Sequence, residues 1–244
     1  MTTYPPHVTC PPLSWLLPFA LGLIGCVAQA PVEASAPAAA PPRTVSAVSP
    51  VACSFSAFVQ EDDPAGLNVR ASPGPTGKII GTLPPTFKTP GNARFHIRVE
   101  VGVSGSVGDW IHIGNAHENT TLTERPARAM FVGDGWVAGR KITVKSQAVQ
   151  GHAAPGADSP VVTSLKSGDA FDGDEMVDAG HLVGCQGRWA QVECSEGALS
   201  MQARDDLVVT ATARAGLPAG RFRAWVNNLC GVQETTCSAS GDAK

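Results

Sequence analysis

The sequence has little tyrosine, little charge and no basic cluster. Tyr4 is the only tyrosine among 244 residues, and aromatic residues make up 6% of the chain. That excludes the tyrosine-lined groove on which eukaryotic SH3 domains seat PxxP helices. Charged residues are 16% and the formal net charge is −3, with basic residues scattered among acidic ones. No basic field exists to hold nucleic acid. Long helical periodicity is missing too. In its place, short Val/Ile/Thr-rich runs sit between turn clusters supplied by 26 glycines and 20 prolines, which predicts an all-β protein.

Signatures of catalysis are also absent. Gly102-Val103-Ser104-Gly105-Ser106 would need glycine at 106 to form a nucleophile elbow. His112, His117 and Glu118 lie close together, but not in the H-E-x-x-H spacing that puts two histidines on one helical face. A metal-dependent hydrolase using these three is a remote alternative. Asp172-Gly173-Asp174-Glu175 lacks the 12-residue calcium-loop pattern and reads as a solvated hairpin tip. No catalytic residue, cofactor or metal ligand is assigned, and the chain is read as a non-enzyme.

The N-terminal segment points to export. Residues 13–25 form an apolar run shorter than the roughly 20 residues of a membrane span, fitting the core of a signal sequence over 1–25. No Lys or Arg precedes Arg43. Leu23-Ile24-Gly25-Cys26 resembles a lipobox, with Cys26 as the lipidated residue; Ala28-Gln29-Ala30 offers an ordinary cleavage site instead. Residues 26–53, rich in Ala and Pro, read as a tether. Cys185, Cys194, Cys230 and Cys237 cluster late in the chain and are disulfide candidates, with Cys53 left over. Four cysteines allow three pairings. Cys230 and Cys237 lack C-x2-C spacing, which favours disulfides over zinc.

The chain also repeats itself. Leu67-Asn68-Val69-Arg70-Ala71-Ser72-Pro73 alternates apolar and polar residues into a Pro/Gly turn. Ala71-Ser72-Pro73 recurs 82 residues later as Ala153-Ala154-Pro155, and Asn68 and Arg70 fall on Gln150 and His152. Gly108-Asp109-Trp110 parallels Gly187-Arg188-Trp189, and Gly135-Trp136-Val137 parallels Ala224-Trp225-Val226. Arg94–Val103 alternates over ten residues, with Phe95, Ile97, Val99, Val101 and Val103 on one face. Leu207–Ala213 is a further strand candidate, inside an insertion spanning 195–220. A period near 80 residues indicates a duplicated domain, since solenoid units run about 20 to 50.

The order L-N-V-R-A-S-P, apolar strand ending in Leu, G-x-W, then G-W-V resembles bacterial SH3 (SH3b) domains, clear in the first copy and degenerate in the second. The resemblance implies two tandem SH3-like small β-barrels, over 54–145 and 146–238, with a tail at 239–244. It implies a non-catalytic cell-envelope binding module that recognises cell-wall peptide or a protein partner. Candidate ligand residues are Asn68, Arg70, Trp110 and Trp189, where the tryptophans either line a groove or fill a core. Expected partners are peptidoglycan or an envelope protein, with membrane contact only through the lipid anchor and localisation in the periplasm or at the cell surface. The alternative is a disulfide-stabilised inhibitor or scaffold acting on a partner enzyme.

Overall fold

A computed structural model describes residues 49–88, 96–119 and 126–232. The signal sequence, Cys26, most of the tether, Phe95, Cys237 and the tail lie outside the described residues. The described chain is mostly antiparallel β, in agreement with the all-β expectation.

The first half supplies β1 (Val51–Val59), β2 (Leu67–Arg70), β3 (Ile79–Leu83), β4 (Phe87–Lys88), β5 (His96–Ile97), β6 (Glu100–Val107), β7 (Trp110–His117), β8 (Gly135–Ala138) and β9 (Ile142–Thr143). Seven of these form one sheet in the order β3-β2-β8-β7-β6-β1-β9, while β4 and β5 pair separately. The second half supplies β10 (Gln150–His152), β11 (Val161–Leu165), α1 (Gly173–Ala179), β12 (Gly180–Gln186) and β13 (Trp189–Ser195). It continues with α2 (Met201–Asp206), β14 (Leu207–Val209), α3 (Ala211–Arg214) and β15 (Arg221–Val226). Its six strands run β12-β13-β15-β10-β11-β14. Neither sheet closes on itself in this hydrogen-bonded order.

The two sheets share a five-strand sequence of neighbours: β3-β2-β8-β7-β6 corresponds to β11-β10-β15-β13-β12. They differ in their additions. The first sheet grows past β6 by β1 and β9; the second grows past β11 by β14. Their buried residues merge into one apolar cluster running from Val69 and Ile111 to Val192 and Phe222.

Contacts between the sheets are specific. Ser54 N–H donates to Gly187 O, and Gly187 N–H donates to Ala52 O, each at 2.8 Å. Cys185 N–H donates to Ser106 Oγ at 3.2 Å. Thr143 Oγ1 donates to Val177 O at 3.1 Å. Arg98, 6% exposed, reaches Asp178 at 2.9 Å. Gly139 lies against Leu182 O and Asp109 O with no room for a Cβ, so only glycine fits there.

Several expectations change. β1 begins at Val51, so the end of the segment read as tether is strand. The run Arg94–Val103 is not one strand: β5 and β6 are separated by Arg98 and Val99. On its polar side Arg98 and Glu100 are buried, and Glu100 pairs with His117 at 3.1 Å. The strand expected over Leu207–Ala213 stops at Val209, because Thr210 accepts from Ala213 N–H and caps α3. The acidic hairpin tip is a helix start: Asp172 accepts from Asp174 N–H and Glu175 N–H and opens α1, which buries Met176 and Val177.

The disulfide pairing also differs. Cys53 bonds to Cys185 across 132 residues, and Cys194 is a buried free thiol. The physical reason is placement. The bridge between Cys53 and Gly187 lays β1 alongside the end of β12, whereas Cys194 faces Gly180 from the paired strand. Cys230 is disulfide-bonded as well.

Candidate functional site

The residues singled out by sequence do not converge on one site. Asn68 is exposed on β2. Arg70 donates to Gly77 O at 2.6 Å, closing the turn that follows β2. His152, its counterpart in the second sheet, meets Ser159 O through Nδ1 at 2.8 Å. Around both turns the backbone repeats itself: Ala71 N–H donates to Lys78 O and Ala153 N–H to Pro160 O, each at 2.9 Å. Arg70 and His152 thus perform the same local work with different chemistry.

The tryptophans hold equivalent strand positions and are only partly exposed. Gly108 and Gly187, which precede Trp110 and Trp189 by two residues, both have φ of 56°, the left-handed region glycine favours. Trp189 meets the His152 ring edge-on at 5.4 Å. Trp136, 8% exposed, packs against the His112 ring at 4.9 Å. His112, His117 and Glu118 each have separate partners. His112 Nδ1 lies 2.7 Å from Ser104 Oγ, His117 pairs with Glu100, and Glu118 pairs with Arg128.

The feature that does gather side chains lies on the second sheet. A cavity of about 300 Å³ opens between one face of that sheet, β14 included, and α1 and α2. Its floor follows strand alternation. Thr163 and Leu165 come from β11, Val192 and Cys194 from β13, and Phe222 and Ala224 from β15. Trp189 and Trp225 occupy the alternate positions of their strands, on the opposite face. Glu193 lies on that face as well and accepts from Arg221 at 2.9 Å and Arg223 at 2.7 Å.

The cavity wall is built by local capping. Ser200 Oγ accepts from Ala203 N–H to start α2, and Glu175 accepts from Ser200 N–H at 2.9 Å, which ties α2 to α1. Asp206 accepts from Ser167 N–H and Ser167 Oγ, fixing the loop after β11 to the end of α2. The Ser167 hydroxyl holds the Asp206 carboxyl below its ordinary value.

Electrostatically the cavity is one-sided. Asp169, Asp172, Glu175 and Asp206 contribute to its lining, and among the described residues no Lys, Arg or His does. Burial, with a smaller contribution from Glu193, pushes the Cys194 thiol up to about 12. A thiol this rarely ionised is a poor nucleophile. Thr163 is 3% exposed, and its hydroxyl has no hydrogen-bond partner. In the first sheet the matching position is Gly81, and the Phe131 ring lies directly over it.

The sequence reading missed this cavity. Its one visible trace was the insertion at 195–220, which supplies α2 and β14. Compared with protein-family models, with curated proteins and with solved structures, the chain matches none.

Proposed function

We propose that the chain is a non-catalytic binding protein of the bacterial cell envelope, built from two SH3-like modules over 54–145 and 146–238. In this reading it is exported, held by a lipid on Cys26, and recognises cell-wall peptide or a protein partner. The observation that carries the proposal is the preformed cavity on the second sheet, apolar in its floor and polar in its rim. Such pockets are the usual form of binding sites. A protonated thiol in the floor suits binding better than covalent chemistry.

Two further observations support the reading. The shared five-strand order and the matched turns fit a duplicated module. The Cys53–Cys185 bond fits an oxidising compartment outside the cytoplasm.

The test is affinity capture with the purified full-length chain, run in parallel on purified peptidoglycan and on detergent extracts of membranes. Retention on peptidoglycan, or one stoichiometric envelope protein, is the expected result. If that protein is an enzyme whose activity falls on binding, the inhibitor alternative takes over. Failure to bind either, with the chain folded, sinks the envelope-binding reading. Loss of lipid labelling in Cys26→Ser tests the anchor separately.

A further inference from the structure

A second concavity lies on the other face of the second sheet, where that sheet meets the first half of the chain. It is an open cleft of about 430 Å³, within the roughly 300–1,000 Å³ of small-molecule sites. Gln60 and Arg140 line it from the first half, and Asp178, His181, Ser195 and Arg221 from the second. Strand register builds the second side. His181 stands opposite Glu193 and Glu193 opposite Arg223, while Ser195 stands opposite Arg221. These residues alternate with the cavity-floor residues Cys194 and Phe222 and point the other way. The 3-10 turn Gly139–Lys141 brings Arg140 to the same place, held down by Gly139 against Leu182 O.

Charge in the cleft is unbalanced. Lys141, also in the lining, pairs with Glu61 at 2.7 Å, and Asp178 is met by Arg98 at 2.9 Å. Those pairs cancel. Arg221 and Arg223 share the single carboxylate of Glu193, at 2.9 and 2.7 Å. Arg140 is exposed and has no hydrogen-bond or ion-pair partner among the described residues. Cationic charge is thus left over, although the chain as a whole carries −3. His181 registers the excess: burial lowers its pKa, Glu193 opposes, and Arg221, Arg223 and Arg140 add to the lowering. An oxyanion among Arg140, Arg221 and His181 lowers the energy of this group, and a guanidinium meets one through two parallel N–H donors.

The remaining polar groups define what adjoins the anion. The Gln60 side-chain amide and the Ser195 hydroxyl are half-buried and make no hydrogen bond among the described residues; Ser195 does not cap the turn that follows it. Asp178 uses only Oδ1 on Arg98, and its side chain is 65% exposed. An amide oxygen, a hydroxyl and a carboxylate oxygen all accept from N–H groups. The complementary ligand carries an oxyanion next to amide N–H groups, as the end of a peptide does.

We infer that this cleft binds the terminal carboxylate of a short peptide, gripped by Arg140 and Arg221 beside His181, with Gln60, Ser195 and Asp178 meeting the amide groups next to it. The inference goes beyond the binding-protein reading and does not rest on the second-sheet cavity. Its experiment reads a free peptide in solution, so it succeeds or fails whatever the chain does on peptidoglycan or in membrane extracts.

The test is titration calorimetry of the full-length chain with four probes. Acetyl-dialanine, as its L,L and D,D forms, carries the terminal carboxylate and amide N–H groups. Acetyl-dialanine-amide keeps the body and removes the charge, acetate keeps the carboxylate alone, and inorganic phosphate offers a different oxyanion. One form of acetyl-dialanine is expected to bind at millimolar concentration, with its amide at least tenfold weaker and acetate and phosphate several-fold weaker. Raising salt should weaken the acid and not the amide. Arg140→Gln removes a side chain without a partner, so the urea-unfolding midpoint should stay in place while acetyl-dialanine affinity falls at least fivefold. Ser195→Ala should reduce that affinity several-fold and leave acetate unchanged. Bound acetyl-dialanine should also raise the His181 pKa, read from its ring-proton shifts, and do so less in Arg140→Gln.

Equal binding of acid and amide overturns the carboxylate assignment. Acetate as tight as acetyl-dialanine overturns the roles of Gln60, Ser195 and Asp178. Phosphate tighter than either peptide form gives the cleft to a phosphate ester and overturns the peptide assignment. Unchanged affinity in Arg140→Gln overturns the location, and no heat from either peptide form at tens of millimolar overturns the site.

Discussion

The two sheets share five strands in the same order, yet they place their additions on opposite edges. The first sheet spends its additions, β1 and β9, on a seam with the second half of the chain. The second spends α2 and β14 on enclosing a cavity. Over matching positions, Phe131 covers Gly81 in one sheet, while in the other the buried Thr163 stands in the floor of the cavity. The difference shows how one strand plan yields a packed body and a receptive one: the insertion decides, and the shared strands accommodate it. A ring over a glycine fills the first; a set of short capped helices roofs the second without filling it.

The largest expected effect comes from cutting the seam. Replacing Cys53 and Cys185 by serine opens a covalent loop of 132 residues, and in the chain-entropy model a loop of this size is worth about 5 kcal/mol. Urea unfolding should show that loss, and if the sheets melt separately afterwards, the seam is what makes them one body. Putting threonine into the packed sheet comes next. Gly81→Thr drives a side chain into the Phe131 ring and should cost about 2 kcal/mol; an unchanged midpoint would mean that Phe131 swings away freely.

A smaller contrast concerns the turns. His152 is 7% exposed and packs on Trp189 as well as holding its turn, so His152→Ala should cost about 2 kcal/mol. Arg70 is less buried and holds only a turn carbonyl, so Arg70→Ala should cost about 1 kcal/mol. Equal losses in urea melts would show that the ring contact contributes nothing.

The smallest effect is acid sensitivity on the outer face of the second sheet. Burial raises the Glu193 carboxyl, but hydrogen bonds from Arg223 and Arg221 outweigh it and leave it below its ordinary 4.5. Its contribution to stability is therefore full above that value and is lost as pH falls through the lowered one. Burial also holds His181 below its ordinary 6.5, with Glu193 opposing. The unfolded chain takes up that proton first, so stability declines as pH falls from about 6.5 toward the depressed value. Melts of Glu193→Gln and His181→Gln against pH should flatten the lower and the upper window respectively, each by less than about 1 kcal/mol.

Strands and turns were legible in the sequence wherever the signal was local. Alternation at Leu67–Arg70 and glycine two residues before Trp110 and Trp189 point to β2, β7 and β13 directly. Long-range outcomes were not legible. Cys53 is paired because β1 lies along β12, a juxtaposition no spacing encodes. Asp172 reads equally well as a turn residue and as a helix cap, and the burial of Met176 and Val177 decides. The cavity depends on Ser200 and Ser167 tying separate segments together, so its residues look like ordinary floor and loop in one dimension. Arg70 drew attention as a ligand residue because its role in the turn passes to a histidine in the other copy.

The bond between Cys53 and Cys185 also sets the path of mechanical load. A pull on the chain ahead of Val51 reaches Cys53 within three residues and crosses covalently to Cys185. Residues 54–184 sit inside that loop and bear no tension along their backbone. The whole five-strand plan of the first sheet is thereby off the load path, and the force enters β12 at the edge of the cavity-bearing sheet. A protein hung from its N-terminus in this way would stretch only from its far end, and a reducing agent would change how it yields before it changes how it folds.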